Sequence, residues 1–210
     1  MAYINQPSFE TYILKLISQI DPEISSSSEV KILINNLIYV LFENVMDNVN
    51  LLLRKNKTET LSLSETRTAV RMTLDGDLLK NALSYADKVV EKYRNEVKHK
   101  EKGTKPKARS KLAGIIFPVS RIENIMRQLS IKKRISSSSP VFLASVLQYI
   151  MRELLDLATN TALGDKKKRL SSRHVALATG QKEELSLLFK NVCLGGGVIP
   201  HIEPKILNKK

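Results

Sequence analysis

The chain has 210 residues, 42% hydrophobic and 26% charged, a composition that forms a core and is long enough for one ordinary domain or two small ones. No apolar run approaches the roughly 20 residues that cross a bilayer, and Met1 to Glu10 lacks the order of a signal peptide, so no membrane partner is expected. Cys193 is the only cysteine and the three histidines, His99, His174 and His201, are widely spread, which argues against an internal disulfide, a metal site or a cofactor.

The first predicted helix, Phe9 to Ile20, is closed by Asp21-Pro22. Four serines follow, and Ser26 with Glu29 makes a capping-box pattern. From Ser28 to Asn56 the residues Val30, Leu33, Leu37, Leu41, Val45, Val49 and Leu52 recur at steps of three and four. A helix of that length is roughly 40 Å long and cannot bury its own apolar stripe, so it requires a partner. Ser62 to Leu74 and Asp77 to about Val97 read as two more helices, the second with Leu79, Leu83, Ala86, Val90 and Tyr93 on one face.

Lys98 to Lys111 is charged and broken by Gly and Pro, and reads as a basic linker. It divides the charge unevenly: residues 1–97 carry 11 Lys/Arg against 13 Asp/Glu, whereas residues 98–210 carry 23 against 8. The whole +13 excess therefore sits in the second half, which points to a polyanionic partner, most often nucleic acid.

After the linker the order repeats. Pro118 to Leu129 is a short helix, Ser136 to Ser139 with Pro140 starts a long one that runs to Asp165 on Leu143, Leu147, Ile150, Leu154 and Leu157, and Ser171 to Gly180 is short again. The two serine runs lie 111 residues apart, so the chain is an internal repeat of short, long and short helices. No nucleophile, base and ligand constellation accompanies it: Cys193 and His201 follow no recognised spacing, and an enzyme is not expected. Gly195-Gly196-Gly197 lacks the Lys-Ser/Thr ending of a phosphate loop.

Against this architecture, particular motifs stand out. Gly114-Ile-Ile-Phe117-Pro118-Val119-Ser120-Arg121, Pro140-Val141-Phe142-Leu143-Ala144-Ser145-Val146-Leu147, Lys166-Lys167-Lys168-Arg169, Arg173-His174, Glu183-Glu184-Leu185 and Gly196-Gly197-Val198-Ile199-Pro200 resemble histone 2A almost without gaps from about Arg109 to Lys210. Tyr12, Pro22, Ser27-Ser28, Asn56-Lys57, Thr68-Ala69-Val70-Arg71 and Gly76 resemble histone 2B, more distantly, over Phe9 to Tyr93. One polypeptide with both is similar to the histone doublets of large double-stranded-DNA viruses of the marseillevirus type.

The resemblance implies an all-α fold of two tandem histone folds paired as an intramolecular handshake dimer, with residues 1–97 as the 2B-like unit, 98–111 as linker and 112–210 as the 2A-like unit with its docking tail. It implies sequence-nonspecific packaging of double-stranded DNA in a viral nucleosome-like particle, with a histone 3 and histone 4 type partner, itself expected to be a fused doublet, and self-association into an octamer-like particle. Expected locations are the virion and the infected-cell replication site, and the basic linker suggests the host nucleus as well. The alternative is a histone-fold transcription regulator that binds DNA locally without forming an octamer.

By position, the resemblance assigns DNA contacts to Arg134, Arg169, Arg121, Arg127, Lys132, Lys133, Lys166, Lys167, Lys168, Arg109 and Lys57, with Ser27 and Ser28 at a helix start. Thr58 replaces a minor-groove arginine and Glu59 adds a negative charge beside it, so a weaker grip is expected there. Asp77, Glu153, Asp156, Glu183 and Glu184 match an acidic patch, while Tyr85, Gln148 and Lys182 replace acidic family residues, so an arginine anchor should meet a weaker field. Gly196, Gly197, Val198, Ile199 and Pro200 match the segment that docks on the histone 3 and 4 partner.

Overall fold

The computed structural model describes residues 7–99, 107–132, 134–190 and 192, and it is mostly helical. In the first half α1 (Glu10–Ile20), the long α2 (Ser28–Asn56), α3 (Leu63–Thr73) and α4 (Gly76–Lys98) follow one another, with two-residue strands β1 (Ser25–Ser26) and β2 (Thr60–Leu61) flanking α2. In the second, α5 (Arg109–Ala113) precedes α6 (Val119–Leu129), the long α7 (Ser138–Gly164), α8 (Ser172–Gln181) and α9 (Glu183–Leu188), with β3 (Arg134–Ile135) and β4 (Arg169–Leu170) flanking α7.

The periodic positions fold as their spacing requires. Helix α2 spans the residues its apolar stripe marked, and Val30, Leu37, Leu41, Val45 and Val49 are buried. The first half of helix α7 is buried almost all round, with Val141 through Gln148 enclosed without a break. A helix segment buried on every side belongs at the centre of a protein; α7 packs on α1, α2, α3, α4, α6 and α8, while its second half turns Arg152, Asp156 and Asn160 outward. One continuous core joins the halves; Phe9, Phe42, Phe117 and Phe142 are fully enclosed in it, each contributing roughly 1.5–3 kcal/mol of burial.

Several helix starts differ from expectation. The cap of α2 is Ser27, whose hydroxyl accepts from the Val30 N–H at 3.3 Å, and Ser26 is drawn into β1 instead. Pro118 caps α6 from outside, and Pro140 is the third residue of α7, where the missing N–H has no intrahelical partner to lose. Full capping boxes occur at Ser62 with Glu65 and at Ser171 with His174. Helix α5 begins inside the stretch expected to be linker and packs on α4. Its residues are too few to show a period.

The strands fix how the halves meet. β1 pairs in parallel with β4, Ser25 opposite Arg169 and Ser26 opposite Leu170; β2 pairs in parallel with β3, Thr60 opposite Arg134 and Leu61 opposite Ile135. The start of α2 therefore lies beside the end of α7, and the end of α2 beside the start of α7. The two long helices run antiparallel.

Candidate nucleic-acid interface

Each end of the long-helix pair carries one loop from either half. A strand turns successive side chains to opposite sides, and here the alternation turns Arg169 out and Leu170 into the core, Arg134 out and Ile135 partly in. The ladders are extended by Ser25 N–H donating to the Lys168 carbonyl at 3.0 Å and Ser136 N–H to the Leu61 carbonyl at 2.9 Å. Two arginines far apart in sequence thus receive the same backbone setting.

The residues beyond the long helices are also matched. Lys57 and Lys166 both adopt left-handed backbone, with φ of 51° and 55°. Behind Lys166 the Lys167 N–H reaches the Ala162 carbonyl and the Lys166 N–H the Leu163 carbonyl, both at 2.9 Å, which is the Schellman arrangement that ends a helix. Lys57, Lys166 and Lys167 are exposed, as is Ser28 in the first turn of α2, whereas the Ser27 hydroxyl is committed to its cap. Lys133 lies outside the described residues.

Other cations assigned to DNA are already engaged. Lys132 Nζ is 2.8 Å from Glu59 Oε1 and Lys168 Nζ is 2.7 Å from Glu23 Oε2. These hydrogen bonds and the lysine charges hold both carboxyls below their usual range. Glu123 accepts from Arg109 and, at 2.5 Å, from Arg127. Burial pushes its carboxyl up, but the two guanidiniums outweigh burial and hold it low. Arg121 donates to the Ser8 carbonyl and lies 5.4 Å from the Tyr12 ring and 5.8 Å from Phe9, a cation–π seat that ties α6 to the entry of α1. Phe9 and Phe117, 5.8 Å apart, bring the starts of α1 and α6 together.

Of the acidic set, Asp77, Glu153, Glu183 and Glu184 line one cleft of about 370 Å³, and Asp156 lines a neighbouring one with Tyr85, Gln148 and Arg152. Their charges are largely answered from within. Glu184 accepts from the Asp77 N–H at 2.6 Å and the Leu78 N–H at 3.2 Å, closing the positive end of α4. Lys182 is 2.8 Å from Glu153, and Lys80 is 2.9 Å from Asp77.

Gln148 Oε1 accepts from the Ile116 and Phe117 N–H groups at 2.7 and 3.0 Å, and its amide donates to the Tyr85 hydroxyl at 3.0 Å. Burial raises the Tyr85 and Tyr149 hydroxyls, whose rings lie 5.7 Å apart. The cleft is a mixed polar and aromatic surface rather than a uniformly acidic one.

Sequence reasoning passed over Glu23, Glu123, Lys80 and the partnering role of Glu59. Spacing alone could have paired Glu123 with Arg127 and Asp77 with Lys80, because residues three or four apart share a helix face. No local signal links Glu23 to Lys168. Gly196, Gly197, Val198, Ile199 and Pro200, with Cys193 and His201, lie outside the described residues. Among the described residues no helix is long and apolar enough to cross a membrane, and no group of three His, Cys, Asp or Glu side chains could hold a metal ion.

The core histone H2A/H2B/H3/H4 domain matches residues 95–180, a span that includes both exposed arginines, Arg134 and Arg169. Histone H2A of Agaricus bisporus is 42% identical over 108 residues, covering 51% of this chain and 78% of that protein. Proteins named probable histone H2A.4 are similar at 45% identity in Arabidopsis thaliana and 46% in Oryza sativa subsp. indica, each over 107 residues and 50% of this chain, and over 70% and 66% of their own lengths. With the helical fold and the homology over its second half taken together, the chain belongs to the core histone family as a relative of histone H2A.

Proposed function

We propose that the chain is two histones in one polypeptide, a 2B-like unit over residues 1–97 and a 2A-like unit over 112–210, joined by the basic segment 98–111 and paired with each other as a handshake. The observation that carries this reading is the loop pairing: each end of the antiparallel long helices combines one loop from either half, with Arg169 exposed at one end and Arg134 at the other. A linker of about a dozen residues keeps such halves at roughly millimolar effective concentration and fixes their ratio at one to one.

In this reading the chain packages double-stranded DNA without reading its sequence. Arg134 and Arg169 enter minor grooves, as arginines do in the histone octamer, while Lys57, Lys132, Lys133, Lys166, Lys167, Lys168, Arg109 and Arg127 face phosphates and Ser28 offers a helix start. Arg121 and Ser27 serve first as intramolecular fasteners. The partner is a histone 3 and 4 type protein, itself a fused doublet, docked through Gly196, Gly197, Val198, Ile199 and Pro200 in an octamer-like particle of the viral doublet type, at the virion, the infected-cell replication site and the host nucleus.

The test is nuclease digestion of long DNA assembled with this chain and a histone 3 and 4 partner, leaving out each component in turn. A discrete protected fragment, near or below the roughly 146 base pairs of the eukaryotic octamer, that needs both components is the expected result. A smear, or a short footprint that persists without the partner, would favour a local regulator instead.

A further inference from the structure

The cations assigned to DNA differ in what they hold. Lys132, Lys168, Arg109 and Arg127 each hold a carboxylate, whereas among the described residues Arg134, Arg169, Lys166 and Lys167 have none within ion-pair distance. The Lys132–Glu59 and Lys168–Glu23 pairs both cross between the halves, at opposite ends of the long-helix pair. In each the carboxylate comes from the nearly neutral first half and the cation from the basic second half.

The carboxylate oxygens sit 2.7 and 2.8 Å from the ammonium groups, the separation a phosphate oxygen would take. A DNA backbone cannot occupy that position while the carboxylate does. Glu123 holds Arg109 and Arg127 in the same way, though within the second half rather than between the halves.

We propose that Glu23, Glu59 and Glu123 are resident counter-ions that compete with DNA phosphates, so that the chain binds DNA by exchanging internal carboxylates for phosphates. Resting on the DNA-binding reading above, this adds the residues that set its strength. Affinity then falls below what the +13 charge would give, and the salt dependence is shallower, because fewer phosphates are neutralised and fewer counterions released.

The experiment measures binding of the full chain to a short blunt-ended DNA duplex across a salt series by fluorescence anisotropy. Glu23 and Glu59 are the decisive positions, since their side chains are 72% and 75% exposed and their removal leaves the core intact. Glu23→Gln and Glu59→Gln should each tighten binding about two- to fivefold, the scale of an exposed ion pair, and each should steepen the slope of log affinity against log salt by roughly 0.9. Glu91→Gln, an exposed α4 position outside these ion pairs, controls for net charge alone.

A double-mutant cycle provides an independent reading: Lys132→Gln should cost more affinity in the Glu59→Gln background than in the native chain. Unchanged or weaker binding by the Glu→Gln variants, an equal gain from Glu91→Gln, or an additive cycle would overturn the proposal. Failure of the DNA-binding reading itself would look different, as no loss of affinity when Lys166 and Lys167 are both changed to Gln.

Discussion

Lys57 and Lys166 occupy one conformation in two loops: each follows the end of a long helix, and each holds φ near +50° without being glycine. For an L side chain that backbone costs roughly 1–2 kcal/mol. In the DNA-packaging reading proposed above, the charge of Lys166 offsets that local cost.

Replacing Lys166 by Gly should therefore raise the melting temperature while weakening DNA binding. The gain is expected at about 0.5–1 kcal/mol, because glycine relieves the strain but adds freedom to the unfolded chain. Thermal denaturation and a salt titration of DNA binding check the two halves of the prediction separately.

Tyr39 is expected to make stability fall at high pH. Its ring packs edge-on against Phe9 at 5.8 Å, its hydroxyl donates to the Pro7 carbonyl at 2.8 Å, and burial pushes its pKa from 10.0 to about 12 against the smaller opposing effect of Arg121. A group raised on folding contributes stability that is complete below pH 10 and is lost as pH rises through 12. The loss amounts to something on the order of 2 kcal/mol. Urea denaturation across roughly that window should show the decline in the native chain and a smaller decline for Tyr39→Phe, the remainder coming from Tyr85 and Tyr149, which burial also raises.

Gly76 is strained territory for any other residue. Its φ is +64°, and an added Cβ would stand 2.0 Å from Glu184 Oε1. Gly76→Ala should destabilise the chain by about 1–2 kcal/mol through the backbone alone, and it should also drive Glu184 off the start of α4. Because Glu184→Ala by itself removes the bonds to the Asp77 and Leu78 N–H groups, the clash shows as a difference between backgrounds: Gly76→Ala should cost less in the Glu184→Ala chain than in the native one, yet still carry the backbone cost, as chemical denaturation can measure.

Thr58 is where a longer, charged side chain should strengthen the DNA grip. Its hydroxyl is enclosed and makes no hydrogen bond with a described residue, and Glu59 follows it. Thr58→Arg is expected to lengthen the nuclease-protected fragment and raise the salt concentration at which the assembled particle comes apart. If neither quantity moved, the weak-loop reading would be wrong.

Helix positions were legible because a period of three and four residues reports one buried stripe, and α2 ran from Ser28 to Asn56 as its stripe required. Helix starts were less so, since any of four adjacent serines can cap; Ser27 takes that place while Ser26 pairs with Leu170 across the strands. Family resemblance assigned basic residues to the proposed interface, but it did not indicate their ionic partners. Glu23 meets Lys168, and Glu59 meets Lys132, only after antiparallel packing of α2 and α7 has brought the two halves together. A pairing made by tertiary structure leaves no periodic trace.

The two-residue strands also bear on how this chain can change length over time. Surface loops usually absorb insertions easily, yet one residue added between Gly164 and Arg169 would shift β4 by one step against β1, turning Leu170 outward and Arg169 toward the core. The same holds between Leu129 and Arg134. Lineages that carry this architecture should keep those two connections at constant length, because each leads into a strand whose register places one arginine outside and one apolar side chain inside.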